Sequence, residues 1–117
     1  MLKPSVGLVI ATLLLFSPHL AAAGHATGTV GTVQSEYAAN VFYFTVAGTY
    51  AGQPACSLGR FAVSTDQSGG RAVMATVLAA KLAGATLTVT GVGDQAPPPA
   101  NPCSVHGDAE TVWFVTE

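Results

Sequence analysis

The stretch RFAVSTDQSGGRAVMATVLAAKLAGATLTVTGV, residues 60–92, decides the fold. Its first part, Arg60–Thr65, places Phe61 and Val63 on one side, the period of two expected of a short strand. Asp66–Gly70 is a polar turn in which Asp66 or Ser68 is positioned to cap a helix. Arg71–Ala83 has neither proline nor glycine and is built from Ala, Leu, Met and Val, so it is predicted to be helical. Lys81 falls in the last turn, where a cation suits the helix dipole, and Gly84 is the expected C-terminal stop. Ala85–Val92 then returns to alternation, with Leu87 and Val89 opposing Thr86, Thr88 and Thr90.

Working outward from this strand–helix–strand unit adds three more strands. Val41–Val46 alternates Phe42, Phe44 and Val46 against Val41, Tyr43 and Thr45, a strong strand signature. Thr29–Ser35 is rich in Thr and Val and reads as a strand with a glycine at its middle. Ala47–Gly59 is a Gly- and Pro-containing loop that carries Cys56. Downstream, Gly93–Pro102 holds three consecutive prolines and cannot join a ladder. Glu110–Thr116 is the last strand, with Val112 and Phe114 opposing Trp113 and Val115. The result is a mainly β fold with one helix, in the order β-β-β-α-β-β. That is the order of the five-stranded OB-fold barrel, with a generic α+β meander as the competing arrangement.

The helix has no polar face. Arg71, Thr76 and Lys81 point in widely separated directions, and Val73, Met74, Val77, Leu78 and Leu82 nearly surround the axis. One side is expected to plug the sheet and the other to pack on neighbouring subunits, with Arg71, Met74, Leu78 and Lys81 as candidate oligomer contacts. The competing reading leaves the alanines facing water.

The N-terminal stretch has the marks of a secretory signal peptide: Lys3, an apolar run from Val6 to Phe16, and Ala21, Ala22 and Ala23 at the end. Cleavage is expected after Ala23, with Ala26 as the alternative site. This divides the chain into a leader, 1–23, and one domain, 24–117. The apolar run is too short for a permanent membrane span, and no lipid-anchor cysteine follows it. The expected destination is secreted or periplasmic. His25 is expected to be disordered beside the cut.

Composition narrows the function. Residues 24–117 keep only Arg60, Arg71 and Lys81 as cations, against Glu36, Asp66, Asp94, Asp108, Glu110 and Glu117. Nucleic acid, the common ligand of OB folds, needs a basic groove that this chain lacks. Cys56 and Cys103 form an even pair in an exported chain and are expected to be disulfide-bonded. Their spacing has no accompanying metal motif, so no metal or other cofactor is expected.

Enzymatic signatures are weak. His106, Asp108 and Glu110 would share one strand face as a candidate metal trio, but a turn leading into the last strand explains them as well. Glu36 and Glu110 are the carboxylates that a glycosidase would need, yet acidic side chains are ordinarily solvated surface. No serine lies in a nucleophile elbow. The chain is therefore expected not to be an enzyme. Tyr37, Tyr43 and Trp113 are the candidate ligand-binding residues, because aromatic faces stack on sugars and on apolar protein anchors. Tyr43 and Trp113 lie opposite the expected core positions of their strands, which would expose them. Tyr50 is a fourth aromatic of the same kind.

The chain also resembles small secreted bacterial proteins of the subtilase-cytotoxin B-subunit-like family, relatives of the binding subunits of A–B toxins. Cys56, Ala75–Lys81 leading to Gly84, Thr88–Gly93 and Cys103–Val112 carry the resemblance, which covers most of the domain. It departs from the family pattern where the proline-rich Asp94–Pro102 separates Gly91–Gly93 from Cys103. The resemblance implies an OB fold, an intrachain disulfide and binding of a host or cell-surface glycan or protein, often as a pentameric ring beside an A-type subunit. The expected function is thus an exported, non-enzymatic recognition module acting through the barrel face. A periplasmic structural or envelope-stress protein without a sugar ligand is the alternative.

Overall fold

The computed structural model describes residues 23–93 and 101–117. Residues 1–22, all but the last residue of the expected leader 1–23, and residues 94–100 of the Asp94–Pro102 loop therefore lie outside the described residues. Six elements follow in the expected order: β1 (His25–Glu36), β2 (Val41–Ala51), β3 (Phe61–Ser64), α1 (Ser68–Ala83), β4 (Thr86–Gly91) and β5 (Glu110–Thr116). The protein is mainly β, with five strands in one sheet and one helix. No helix among the described residues is long and apolar enough to cross a membrane.

The strands run β1-β2-β3-β5-β4, and β4 pairs back onto β1, so the sheet closes on itself. All ladders are antiparallel except β3–β5, which is parallel and holds only two residue pairs, Phe61 with Glu110 and Ala62 with Thr111. β1 serves two partners: residues 25–29 pair with β4 while the whole strand pairs with β2. Gly28 and Gly48 face each other across the β1–β2 ladder, and a Cβ on either would strike the opposite backbone. Close approach of two backbones at that point requires glycine on both strands.

Phe42, Phe44, Val46, Phe61, Val63, Leu87 and Val89 fill the interior, as their alternation predicts. α1 lays Val73, Met74, Val77 and Ala80 against this core. Its C-terminus ends as expected: Gly84 is left-handed and the Ala85 N–H returns to the Ala80 carbonyl.

Four expectations are corrected. First, β1 begins at His25 rather than Thr29, because pairing with both β2 and β4 satisfies its backbone groups from the first residue. His25 is therefore ordered, pairing with Ala51 and Thr90. Second, neither Asp66 nor Ser68 caps α1. Gln67 is the N-cap and makes no side-chain cap bond. Third, the helix starts at Ser68 and takes in Gly69 and Gly70, since a side chain at Gly70 would collide with the Ser64 carbonyl. Fourth, alternation breaks in β5. A register shift opposite Thr90–Gly91 makes Trp113 an extra residue in the ladder, so Val112 and Val115 both turn inward and Phe114 turns out, 45% exposed.

Cys56 and Cys103 are joined, tying residues 47 apart in sequence. A closure of this length removes roughly 4 kcal/mol of unfolded-chain entropy. We expect Cys56→Ser to lower stability by about 2–4 kcal/mol, measured by urea unfolding without reductant. Equal midpoints for the variant and the oxidised parent would contradict this.

Candidate functional site

One outer face of the sheet is covered and another is open. On the outer side of β2–β3, Val41, Tyr43, Ala62 and Ala109 form a second buried cluster with Val105 against it. The cover is residues 102–109, a strap that arrives from Cys103 and leads into β5. Backbone bonds fasten it: Leu58 N–H to the Asp108 carbonyl, Glu110 N–H to Arg60 and Thr111 N–H to Pro102. Within it, a tight turn brings the Ala109 N–H to the His106 carbonyl at 3.2 Å.

Side chains lock the strap down. The His106 ring packs on Tyr43 with centroids 4.7 Å apart, and the Arg60 guanidinium lies 4.7 Å from the same Tyr43 ring. Arg60 pairs with Asp108, and His106 Nδ1 is 2.6 Å from Asp108 Oδ1. Glu36, the last residue of β1, approaches His106 Nε2 at 3.6 Å. The expectation that Tyr43 is exposed for ligand binding is therefore wrong: the residue is 8% exposed. Its strand position is outward as alternation predicts, but the strap buries that side too.

The candidate carboxylates do not converge. Glu36 sits at the end of β1, whereas Glu110, the first residue of β5, turns into the interior against Gly24, just before the other end of β1. Its Oε2 accepts the Gly24 and Gly93 N–H groups, each at 3.1 Å, while Oε1 has no partner among the described residues. This separation removes the geometric basis for a Glu36–Glu110 glycosidase pair. It also splits the His106–Asp108–Glu110 trio, and no three candidate metal ligands cluster among the described residues. Burial raises the Glu110 carboxyl above its ordinary value, with the Gly24 and Gly93 amides and His25 pulling the other way.

The open face lies beside the short parallel ladder. Past Ala62 and Thr111, β3 and β5 diverge, and a cleft of about 390 Å³ opens between them. Its apolar lining is Val63, Val73 and Val112. Gly69 and Gly70 of the first helical turn form one wall, where no acidic or capping side chain meets the free N–H groups. Ser104 and Val105 of the strap form another. Trp113 also lines the cleft, 51% exposed, together with Thr111, whose buried hydroxyl has no hydrogen-bond partner among the described residues. Such a site offers an aromatic face, hydroxyls and unused backbone donors around a small apolar floor, which suits a hydroxyl-rich, partly apolar ligand.

The other candidates disperse. Tyr37 is on the β1–β2 turn and 98% exposed, away from the cleft lining. Tyr50 is structural: its hydroxyl donates to Gly59 at 2.7 Å and its ring stacks on Phe61. Arg71 donates to the Thr65 carbonyl at 2.7 Å and pins the helix start to the end of β3. Lys81 donates to the Gly31 carbonyl at 2.6 Å, at the irregularity in the β1–β2 ladder, and Met74 packs on the core. Leu78 stays 37% exposed beside Leu82, 90% exposed, and the two line a shallow apolar groove with Val33. Sequence reading missed Thr111, Gly69, Gly70 and the strap residues Ser104 and Val105. The Gly69–Gly70 pair at a helix start was their one visible signal.

No protein-family model, curated protein or solved structure matches the chain.

Arg60→Ala removes the Asp108 pair and the contact with Tyr43. It is expected to cost about 1–2 kcal/mol and to speed amide exchange across residues 103–109, read by exchange mass spectrometry. Unchanged exchange there would contradict the locking role. Glu110 gives a pH prediction for the chain whose Gly24 nitrogen is an amide. A carboxyl raised in the folded state binds its proton more tightly there than when unfolded. Its stabilising effect is thus complete below the unfolded value and is lost as pH rises through the folded one. The urea midpoint should fall, relative to Glu110→Gln, as pH rises above the ordinary glutamate value of 4.5; parallel pH profiles would contradict it.

Proposed function

We propose that this chain is an exported, non-enzymatic OB-fold recognition module that binds a glycan in the cleft between β3 and β5. The reading of the fold as an OB barrel is supported by the closed order β1-β2-β3-β5-β4, the parallel β3–β5 contact and the helix between β3 and β4. Export is supported by the leader-like N-terminus and by the disulfide. The observation that carries the binding reading is Trp113, half exposed on the lining of a cleft that Ser64, Ser104 and Thr111 also line. In OB folds oligosaccharides commonly meet the β2–β3 face and the loops next to it. Here the strap covers that face, and the cleft at its edge is the place left for a ligand.

The ring reading rests on the groove along α1. Leu78 and Leu82 form an apolar surface that a neighbouring subunit would cover. The second reading, a periplasmic envelope protein with no sugar ligand, draws its support from the covered β2–β3 face.

A glycan array probed with the exported protein and with Trp113→Ala tests the first reading. Binding by the parent, weakened by about tenfold or more in the variant, is the expected outcome. An empty array from a folded, oxidised protein favours the envelope reading. Native mass spectrometry tests the ring: a pentamer that Leu82→Glu dissociates is expected, and a monomer at tens of micromolar would remove it.

A further inference from the structure

We propose that Glu110 is the receptor for a new chain terminus: cleavage between Ala23 and Gly24 turns the Gly24 nitrogen into an α-ammonium that pairs with the buried Glu110 carboxylate. The inference is separate from the ligand-binding reading and rests on the leader at residues 1–23.

Glu110 has no solvent exposure, and a lone carboxylate so placed is costly. Around it, residues 24, 91 and 93 are all glycine. A side chain at Gly24 or Gly91 would occupy the space of the carboxylate. The cradle is therefore shaped by missing side chains. Two backbone N–H groups enter it, from Gly24 and Gly93, and both reach Oε2. Oε1 has no partner among the described residues. An amide at Gly24 has one hydrogen to give, which Oε2 takes. An ammonium has three, enough for both oxygens, and it brings the opposite charge.

The position of Gly24 does not depend on what precedes it. Its carbonyl accepts the Gly91 N–H at 2.8 Å, and His25 begins the ladder to β2 and β4. The nitrogen would stay beside Glu110 after the chain is cut. Cleavage after Ala26 instead would remove this partner, leave Glu110 with the Gly93 amide alone, and strip Ala26 from the core. Of the two alanine sites, only cleavage after Ala23 therefore leaves a terminus that the folded cradle can hold.

The chemistry is a hydrolysis by an export-pathway peptidase acting before β1 is in place. Water supplies the hydroxyl that completes the Ala23 carboxyl group, and the amide C–N bond breaks. The Gly24 amine then takes up a proton to become the ammonium. His25, which follows in β1, is the other ionisable group acting on Glu110. With an ammonium at Gly24 the Glu110 carboxylate is favoured in its charged form, so the pH dependence described above for the amide reverses in sign.

N-terminal sequencing of the exported protein is the first test. A start at Gly24 is expected, and a start at Thr27 overturns the proposal. The second is a cycle in which Glu110→Gln is made in the protein starting at Gly24 and in a form that keeps Ala23. In the Gly24 form the folding constant should fall by roughly 100-fold or more; in the Ala23 form it should fall little or rise. Equal effects in both would overturn the ion pair. Should Glu110→Gln not fold, carbamylation of the parent's α-amine answers instead. Labelling at neutral pH slowed by about tenfold or more relative to the urea-unfolded chain is expected, and equal rates would overturn the pairing.

Discussion

The covalent tie between Cys56 and Cys103 is the constraint on which the rest depends. It fastens the start of the strap to the loop that precedes β3, so residues 102–109 must cross the outer side of β2–β3 before β5 can begin. Three consequences follow from that one path. The side of β2 carrying Val41 and Tyr43 becomes a second buried cluster rather than a wet surface. The strap supplies Ser104 and Val105 to one wall of the cleft. And β5 enters parallel to β3 with Glu110 aimed inward, in register with Phe61.

The brevity of the β3–β5 ladder is the second organising feature. Parallel pairing of two residues leaves the continuations of both strands without each other, and the first turn of α1 fills only part of the gap. Gly70 lets the helix approach the Ser64 carbonyl, and Arg71 fixes its start through Thr65. The helix therefore both closes the interior, through Val73, Val77 and Ala80, and walls the cleft. Packing and candidate binding share the same residues. A change that loosens the helix start would be felt at both.

Much of the fold was legible in the sequence because it is written in local periods. The alternation of Phe42, Phe44 and Val46, the Ala- and Leu-rich helix and the Gly84 stop need only neighbouring residues to be read. What escaped depended on distant ones. Tyr43 reads as exposed until the strap is laid over it, and nothing within β2 announces a cover arriving from residues 102–109. Phe114 reads as buried until the irregularity at Trp113 inverts the second half of β5. Glu110 reads as surface because it is acidic; its burial depends on glycines at 24 and 91, far apart in the chain and individually ordinary. The cleft itself was invisible for the same reason, although Trp113, one of its residues, stood out by chemistry alone.

Trp113 is the only tryptophan in the chain, so its fluorescence reports on the cleft without labelling. The most direct test of the account is therefore a titration of the exported, oxidised protein with array-positive glycans while Trp113 emission and its quenching by acrylamide are followed. The account predicts a saturable emission change and reduced quenching, with the same midpoint as binding measured by calorimetry. Calorimetric binding that leaves both Trp113 signals unmoved would place the ligand elsewhere and contradict the cleft as the recognition site.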